Sequence, residues 1–80
     1  MERQFGENVR FWRKKRGLSQ EEFADRADLH PTYVSGIETG RRNPTVRIVE
    51  RISKALEVWP EQLLTNRDAE KLILFYLSEG

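Results

Sequence analysis

Apolar residues along this chain of 80 residues recur mainly at intervals of three and four. That spacing lines one face of a helix, whereas strict alternation would line one face of a strand. Phe5, Val9 and Trp12 mark a first helix, closed by the run Arg13-Lys14-Lys15-Arg16 and by Gly17, which suits a left-handed C-terminal position. Leu18 then enters the core, and Ser19 with Glu22 three residues on predicts a capping box. It opens a second helix over 20–27, buried through Phe23, Ala24 and Ala27. Asp28, Leu29 and His30 form a short turn. Pro31 suits the first turn of a third helix over 31–38, whose inner stripe is Val34 and Ile37 and which Gly40 ends. Arg41-Arg42-Asn43-Pro44 reads as a loop.

Thr45 caps a fourth helix carrying Val46, Val49, Ile52, Ala55 and Leu56. A short fifth helix opens at Pro60 and carries Leu63 and Leu64, before a break at Thr65 and Asn66. The tail, Asp68 to Ser78, contains an unbroken apolar run from Leu72 to Leu77. Periodicity alone admits a buried strand here. The preceding Ala69, Glu70 and Lys71, and the lack of another strand to pair with, favour a sixth helix. The predicted fold is therefore all-α, with residues 1–66 as one domain and 67–80 as an apolar C-terminal helix.

Composition narrows the class. The apolar share is 38% and the charged share 34%, which suits a compact core under a charged surface and not a disordered chain. With no cysteine, neither a disulfide nor a thiolate metal site is available. A single histidine, no glycine-rich phosphate loop and no paired carboxylates argue against an enzyme, and no cofactor or metal is expected. No apolar run approaches the ~18 residues of a membrane span, and the N-terminus lacks a signal-peptide pattern. A cytoplasmic protein without a membrane partner is the expectation.

The net charge of +1 hides a segregated distribution. Residues 2–16 sum to +4, 17–30 to −3, 31–57 to +2 and 58–80 to −2. A partner feels the local patch and not the total. Arg13 to Arg16 read equally well as a solvated helix end or as a functional patch.

The sharpest constellation is the pair of short helices at 20–27 and 31–38 joined by a tight turn. Ala24 sits where they cross, and Asp28 falls where a left-handed residue is needed, a conformation Asp tolerates better than most. Thr32, Ser35, Gly36 and Thr39 then point outward, with His30 and Tyr33 on the flank. These side chains are short or amphipathic and none is acidic, as a helix entering the major groove requires. Gly36 is expected to remove bulk at the closest approach. Arg41, Arg42 and Asn43 follow, placed to grip phosphates, and Gln20 begins a helix whose N-terminus can receive one. Glu38 faces the other way, toward an intramolecular pair or cap.

Over residues 5–64 the chain resembles the small helix-turn-helix repressors of the lambda and 434 phage type, the Xre-like class. Gly-Leu-Ser-Gln-Glu-Glu-Phe-Ala at 17–24 is similar to that family's entry to its motif. Thr-Tyr-Val-Ser-Gly-Ile-Glu-Thr-Gly-Arg-Arg-Asn-Pro at 32–44 is similar to the recognition helix and following loop of restriction–modification controller proteins. The resemblance implies a five-helix lambda-repressor-like DNA-binding domain with an extra C-terminal helix. It implies base contacts from Thr32, Ser35 and the neighbourhood of Gly36, and backbone contacts from Gln20, Tyr33, Thr39, Arg41, Arg42 and Asn43. Three positions depart from the pattern. Pro31 stands where controllers often carry a base-reading residue, so one base contact is expected to be absent. Asp28 replaces the usual turn glycine, and Trp59 stands where a capping Ser or Thr is common.

Six consecutive apolar residues populate every side of a helix, more than one core contact needs. The tail is therefore expected to dimerise the protein through Leu72, Phe75 and Tyr76, with Trp59, Leu63 and Leu64 joining the surface. The resulting expectation is a homodimeric, sequence-specific regulator on a near-palindromic operator in double-stranded DNA. RNA polymerase would be a further partner where the site lies just upstream of a promoter. The alternative is an antitoxin-like module that uses its tail to bind another chain.

Overall fold

A computed structural model describes residues 2–65, which form five helices: α1 (Glu2–Lys15), α2 (Gln20–Ala27), α3 (Pro31–Glu38), α4 (Val46–Leu56) and α5 (Pro60–Leu64). There is no strand among the described residues, and none of their helices is long and apolar enough to cross a membrane. The predicted tail helix at 68–78, and with it Leu72, Phe75 and Tyr76, lies outside them.

Helices α2, α3 and α4 each follow a residue whose side chain caps them. The Glu22 N–H donates to Ser19 Oγ at 3.0 Å, and the Ser19 N–H donates back to Glu22 Oε1 at 2.9 Å. The bond from the Ser19 backbone N–H, and next the Ser19 hydroxyl, hold the Glu22 carboxyl below the usual carboxylate range. Thr45 Oγ1 accepts from the Ile48 N–H at 3.2 Å to start α4. Trp59 has no oxygen to offer at the start of α5, and Gln62 supplies half of the box by accepting the Trp59 N–H at 2.8 Å.

Left-handed residues follow α1 to α4: Gly17, Asp28, Gly40 and Glu57, with φ of 72°, 56°, 78° and 57°. In this conformation the next N–H reaches back over the last turn, as Leu29 does to Ala24 O (2.8 Å) and Val58 to Ser53 O (3.0 Å). A residue with a Cβ is strained there by about 1–2 kcal/mol. Both non-glycine ends are gripped by an arginine distant in sequence, Arg51 of α4 and Arg16 just after α1. Arg51 Nε donates to Ala27 O at 3.1 Å and its Nη2 contacts Asp28 O and the Asp28 carboxylate. Arg16 donates to Leu56 O at 2.8 Å and to Glu57 O at 3.1 Å.

The core draws on all five helices: Phe5 and Val9 from α1, Phe23, Ala24 and Ala27 from α2, Val34 and Ile37 from α3, Ile52 and Leu56 from α4, Leu63 from α5, with Leu18 between. Leu63 is 0% exposed, which corrects its assignment to a dimer surface: α5 packs on α1 and α4 and turns this side chain inward. Asn8, buried in α1, closes that contact by donating both amide hydrogens, to Leu63 O (2.7 Å) and Thr65 O (2.8 Å). Two residues away, at Gly6, α1 crosses α3 almost backbone to backbone. A Cβ on Gly6 would lie 2.2 Å from Ile37 O and 2.8 Å from Glu38 O.

Two stability changes follow. Gly6→Ala should destabilise by about 3 kcal/mol, because two backbones must separate; a urea midpoint unchanged from the parent would contradict this crossing. Glu57→Gly should stabilise by roughly 0.5–1 kcal/mol, the relieved strain exceeding the added entropy of the unfolded chain. Calorimetry should register that as a rise of ~2–8 °C in Tm.

Candidate nucleic-acid interface

The pair α2–α3 appears at the bounds that the sequence pattern predicts, and small residues set its geometry. Ala24 and Ala27 are buried beneath α3, and Asp28 in its left-handed conformation reverses the chain within one turn. His30 then caps α3, its Nδ1 accepting from the Thr32 N–H at 3.1 Å, and Pro31 occupies the first helical position. Val34 and Ile37 anchor the inner face. Thr32 and Thr39 are exposed, while Tyr33, Ser35 and Gly36 are half-buried along the outer side.

Glu38, in the last turn of α3, points into the protein, as the sequence suggests, but its partners are new. Arg13 Nε donates to Glu38 Oε2 at 2.6 Å and Nη2 to Oε1 at 3.1 Å, while Nη1 reaches Leu18 O at 2.8 Å. Gln20 Nε2 adds a third bond to Glu38 Oε1 at 3.1 Å. Both charged side chains are under a tenth exposed. The C-terminal turn of α3 is thereby tied to α1 and to the first residue of α2. Burying the carboxylate also leaves the outer face of α3 without a negative charge.

This network corrects the reading of the basic run. Arg13 is internal and Arg16 is bound to α4 carbonyls, so the run is neither a solvated end nor a uniform patch. Lys14 and Lys15 remain exposed, Lys15 lying 5.6 Å and 5.5 Å from the ring centres of Phe11 and Trp12. Gln20 gains an internal role, its amide donating one hydrogen to Glu38 Oε1. The Thr39 hydroxyl donates to Ser35 O (3.0 Å) and Gly36 O (3.3 Å), so its proton is already engaged within α3.

Gly36 has a different purpose from the one its sequence position suggests. A Cβ there would lie 2.7 Å from Arg42 Cγ, so the outward space is filled by the Arg42 side chain. The glycine is half-buried, and the Arg42 stem occupies the space beside it. Arg42 returns from the loop, its guanidinium 5.7 Å from the Tyr33 ring centre. Arg41 and Asn43 are exposed beside it. Trp59, just before α5, and Leu64 at its end are exposed by 72% and 52%.

Breaking the network from one side should expose its cost. Glu38→Ala strands a buried guanidinium and should destabilise by about 3–5 kcal/mol. The double substitution Arg13→Met with Glu38→Leu should lose far less, because no buried charge remains. Urea denaturation of the three proteins separates these outcomes; equal losses would show that the pair is not electrostatically coupled.

Comparison with known proteins agrees with this geometry. The helix-turn-helix family model matches residues 9–63. Control protein C.BamHI of Bacillus amyloliquefaciens is 51% identical over 61 residues, 75% of each chain. The crystal structure of the restriction–modification controller protein C.AhdI from Aeromonas hydrophila superposes with a TM-score of 0.75 at 36% identity, covering 76% of this chain and 92% of that one. The structure of SinR, the master regulator for biofilm formation, in complex with DNA superposes with a TM-score of 0.73 at 32% identity, covering 76% of this chain and 98% of that one.

Proposed function

This chain belongs to the helix-turn-helix family of DNA-binding transcriptional regulators, of the Xre type, and on that premise we propose that it works as a homodimer on a near-palindromic operator in double-stranded DNA, with α3 in the major groove. Members of this family act by binding DNA and not by catalysis. The observation that carries the proposal is the outer face of α3. It offers Thr32 and Ser35, short hydrogen-bonding side chains, and the only carboxylate of the helix, Glu38, is buried behind it. Short side chains at that surface can reach base edges, and the absence of an exposed anion lets the helix approach phosphates.

In this reading Thr32 and Ser35 contact bases. Arg41, Asn43 and the Tyr33 hydroxyl hold the sugar–phosphate backbone. Dimerisation uses Trp59 and Leu64, which form an exposed apolar surface among the described residues, together with Leu72, Phe75 and Tyr76 of the tail. A two-fold dimer sets its two recognition helices about 34–36 Å apart, one turn of DNA. The second half-site contact is then effectively intramolecular, so each half can be weak. A site overlapping a promoter would make the protein a repressor; a site just upstream, beside RNA polymerase, would make it an activator. Control of a restriction–modification system is the role that the name of C.AhdI carries, and it is the biological setting we infer.

Selection of bound sites from random duplexes tests the proposal directly, since it reports half-site, spacing and symmetry together. Thr32→Ala and Ser35→Ala should each relax preference at one base pair, by ~1–3 kcal/mol. Arg41→Ala should weaken all sequences alike and lower the salt slope by about one. Trp59→Glu should shift the sedimenting species toward monomer. A protein that enriches no sequence, or one half-site only, would overturn the homodimeric reading.

A further inference from the structure

We propose that the apolar run at 72–77, which lies outside the described residues, docks on the outer face of α1 of its own chain, against Phe11 and Trp12. The described chain ends in the right place for this. Asn8, midway along α1, donates to Leu63 O and Thr65 O at 2.7 Å and 2.8 Å. Residue 66 therefore starts at α1, one turn from Phe11 and Trp12. Those two residues and Lys15 stand three, four and seven positions after Asn8, so all four share one face of the helix. Phe11 is 37% exposed, and its ring packs edge-on against Trp12 with centroids 5.3 Å apart. Cations rim this platform. Lys15 Nζ lies 5.6 Å and 5.5 Å from the two ring centres, and the Arg16 guanidinium lies 5.5 Å from that of Trp12. In the other direction from Asn8 the same face carries Gln4, so apolar surface is offered toward Lys15 only.

The segment matches the platform in length, charge and pattern. Helical spacing from Asp68 puts the run about 6–14 Å along its axis, and Phe11 to Lys15 lie about 4–11 Å along α1 from Asn8. A chain that turns at Thr65 and Asn66 and runs beside α1 thus brings its apolar residues level with the two rings. Glu79 then follows at the end of α1 that carries Lys14 and Lys15, where opposite charges meet. At about 3.6 residues per turn the run divides into two sides. Ile73, Leu74 and Leu77 make one, and Leu72, Phe75 and Tyr76 make the other. The first side covers Phe11 and Trp12. The second stays outward, available to the partner protomer of the homodimeric reading. The tether between Thr65 and the run is short, residues 66–71, so the contact is intramolecular and a modest apolar area suffices to hold it.

The chain has no cysteine, so engineered pairs report the contact without interference. In the full chain, Phe11→Cys is combined in turn with Ile73→Cys, Leu74→Cys and Leu77→Cys. On mild oxidation at least one pair should close a disulfide within one chain, seen as a faster single-chain band on a non-reducing gel, since closure requires the two backbones to be in contact. Phe11→Cys with Leu72→Cys, Phe75→Cys or Tyr76→Cys should not close it. No intrachain disulfide from the first set, disulfides mainly between chains, or equal closure from both sides would overturn the proposal. A second readout leaves Phe11 in place. Trp59→Phe makes Trp12 the one tryptophan. In that background Ile73→Glu with Leu77→Glu should move Trp12 emission to longer wavelength and raise its quenching by acrylamide, while thermal unfolding stays cooperative. Unchanged emission and quenching would overturn the proposal too. Failure of the homodimeric reading looks different: sedimentation would show a monomer in which the intrachain disulfide still forms.

Discussion

The orientation of α3 depends on one buried carboxylate. An eight-residue helix is not stable alone, so its place must come from tertiary contacts. Val34 and Ile37 fix its depth, but apolar packing tolerates rotation and sliding. Glu38 removes that freedom: it is buried, it is charged, and it is satisfied only where Arg13 and Gln20 meet it. A buried ion pair adds little net stability compared with a well-packed apolar pair, yet a displaced partner is heavily penalised. The network thus selects one arrangement of α1, α2 and α3 over its neighbours.

A second constraint acts on the same helix from outside. The contact of Gly6 with the carbonyls of Ile37 and Glu38 draws α1 against the end of α3. Gly40 is approached by Arg3 Cα within 3.1 Å of where its Cβ would stand, which extends this close contact past the helix end. The inner side of α3 is therefore held by backbone and by charge, while its outer side carries only short groups and the Arg42 stem. Rigidity behind and small polar groups in front suit a surface that must present a few donors in fixed register.

Much of this was legible in the sequence because it is local. Ser19 with Glu22, Pro31 and Thr45 lie within a turn of the groups they satisfy, so the bounds of α2 and α3 and the start of α4 could be read directly. Asp28 could be assigned its left-handed conformation for the same reason. What could not be read depends on distant partners. Arg13 looks like any member of a basic run until Glu38, 25 residues away, is folded against it. Gly6 sits unremarked in α1, since only the crossing with α3 demands it. Leu63 lies in a five-residue helix, too short for a periodic stripe to separate the inward side from the outward side of the pair Leu63–Leu64. Gly36 was correctly placed on the outer face, but what fills the space beside it is set by the return path of the loop.

The arginine grips on the left-handed ends couple positions that share no local motif. Arg16 holds the carbonyls around Glu57, 41 residues away, and Arg51 holds those around Asp28, 23 residues away. While a residue with a Cβ occupies the strained position, its arginine is hard to replace. Once glycine stands there, the arginine is released to vary. The order in which such substitutions accumulate is thus constrained, and the tolerance of a basic surface residue in this fold depends on the history of a helix end at the far side of the sequence.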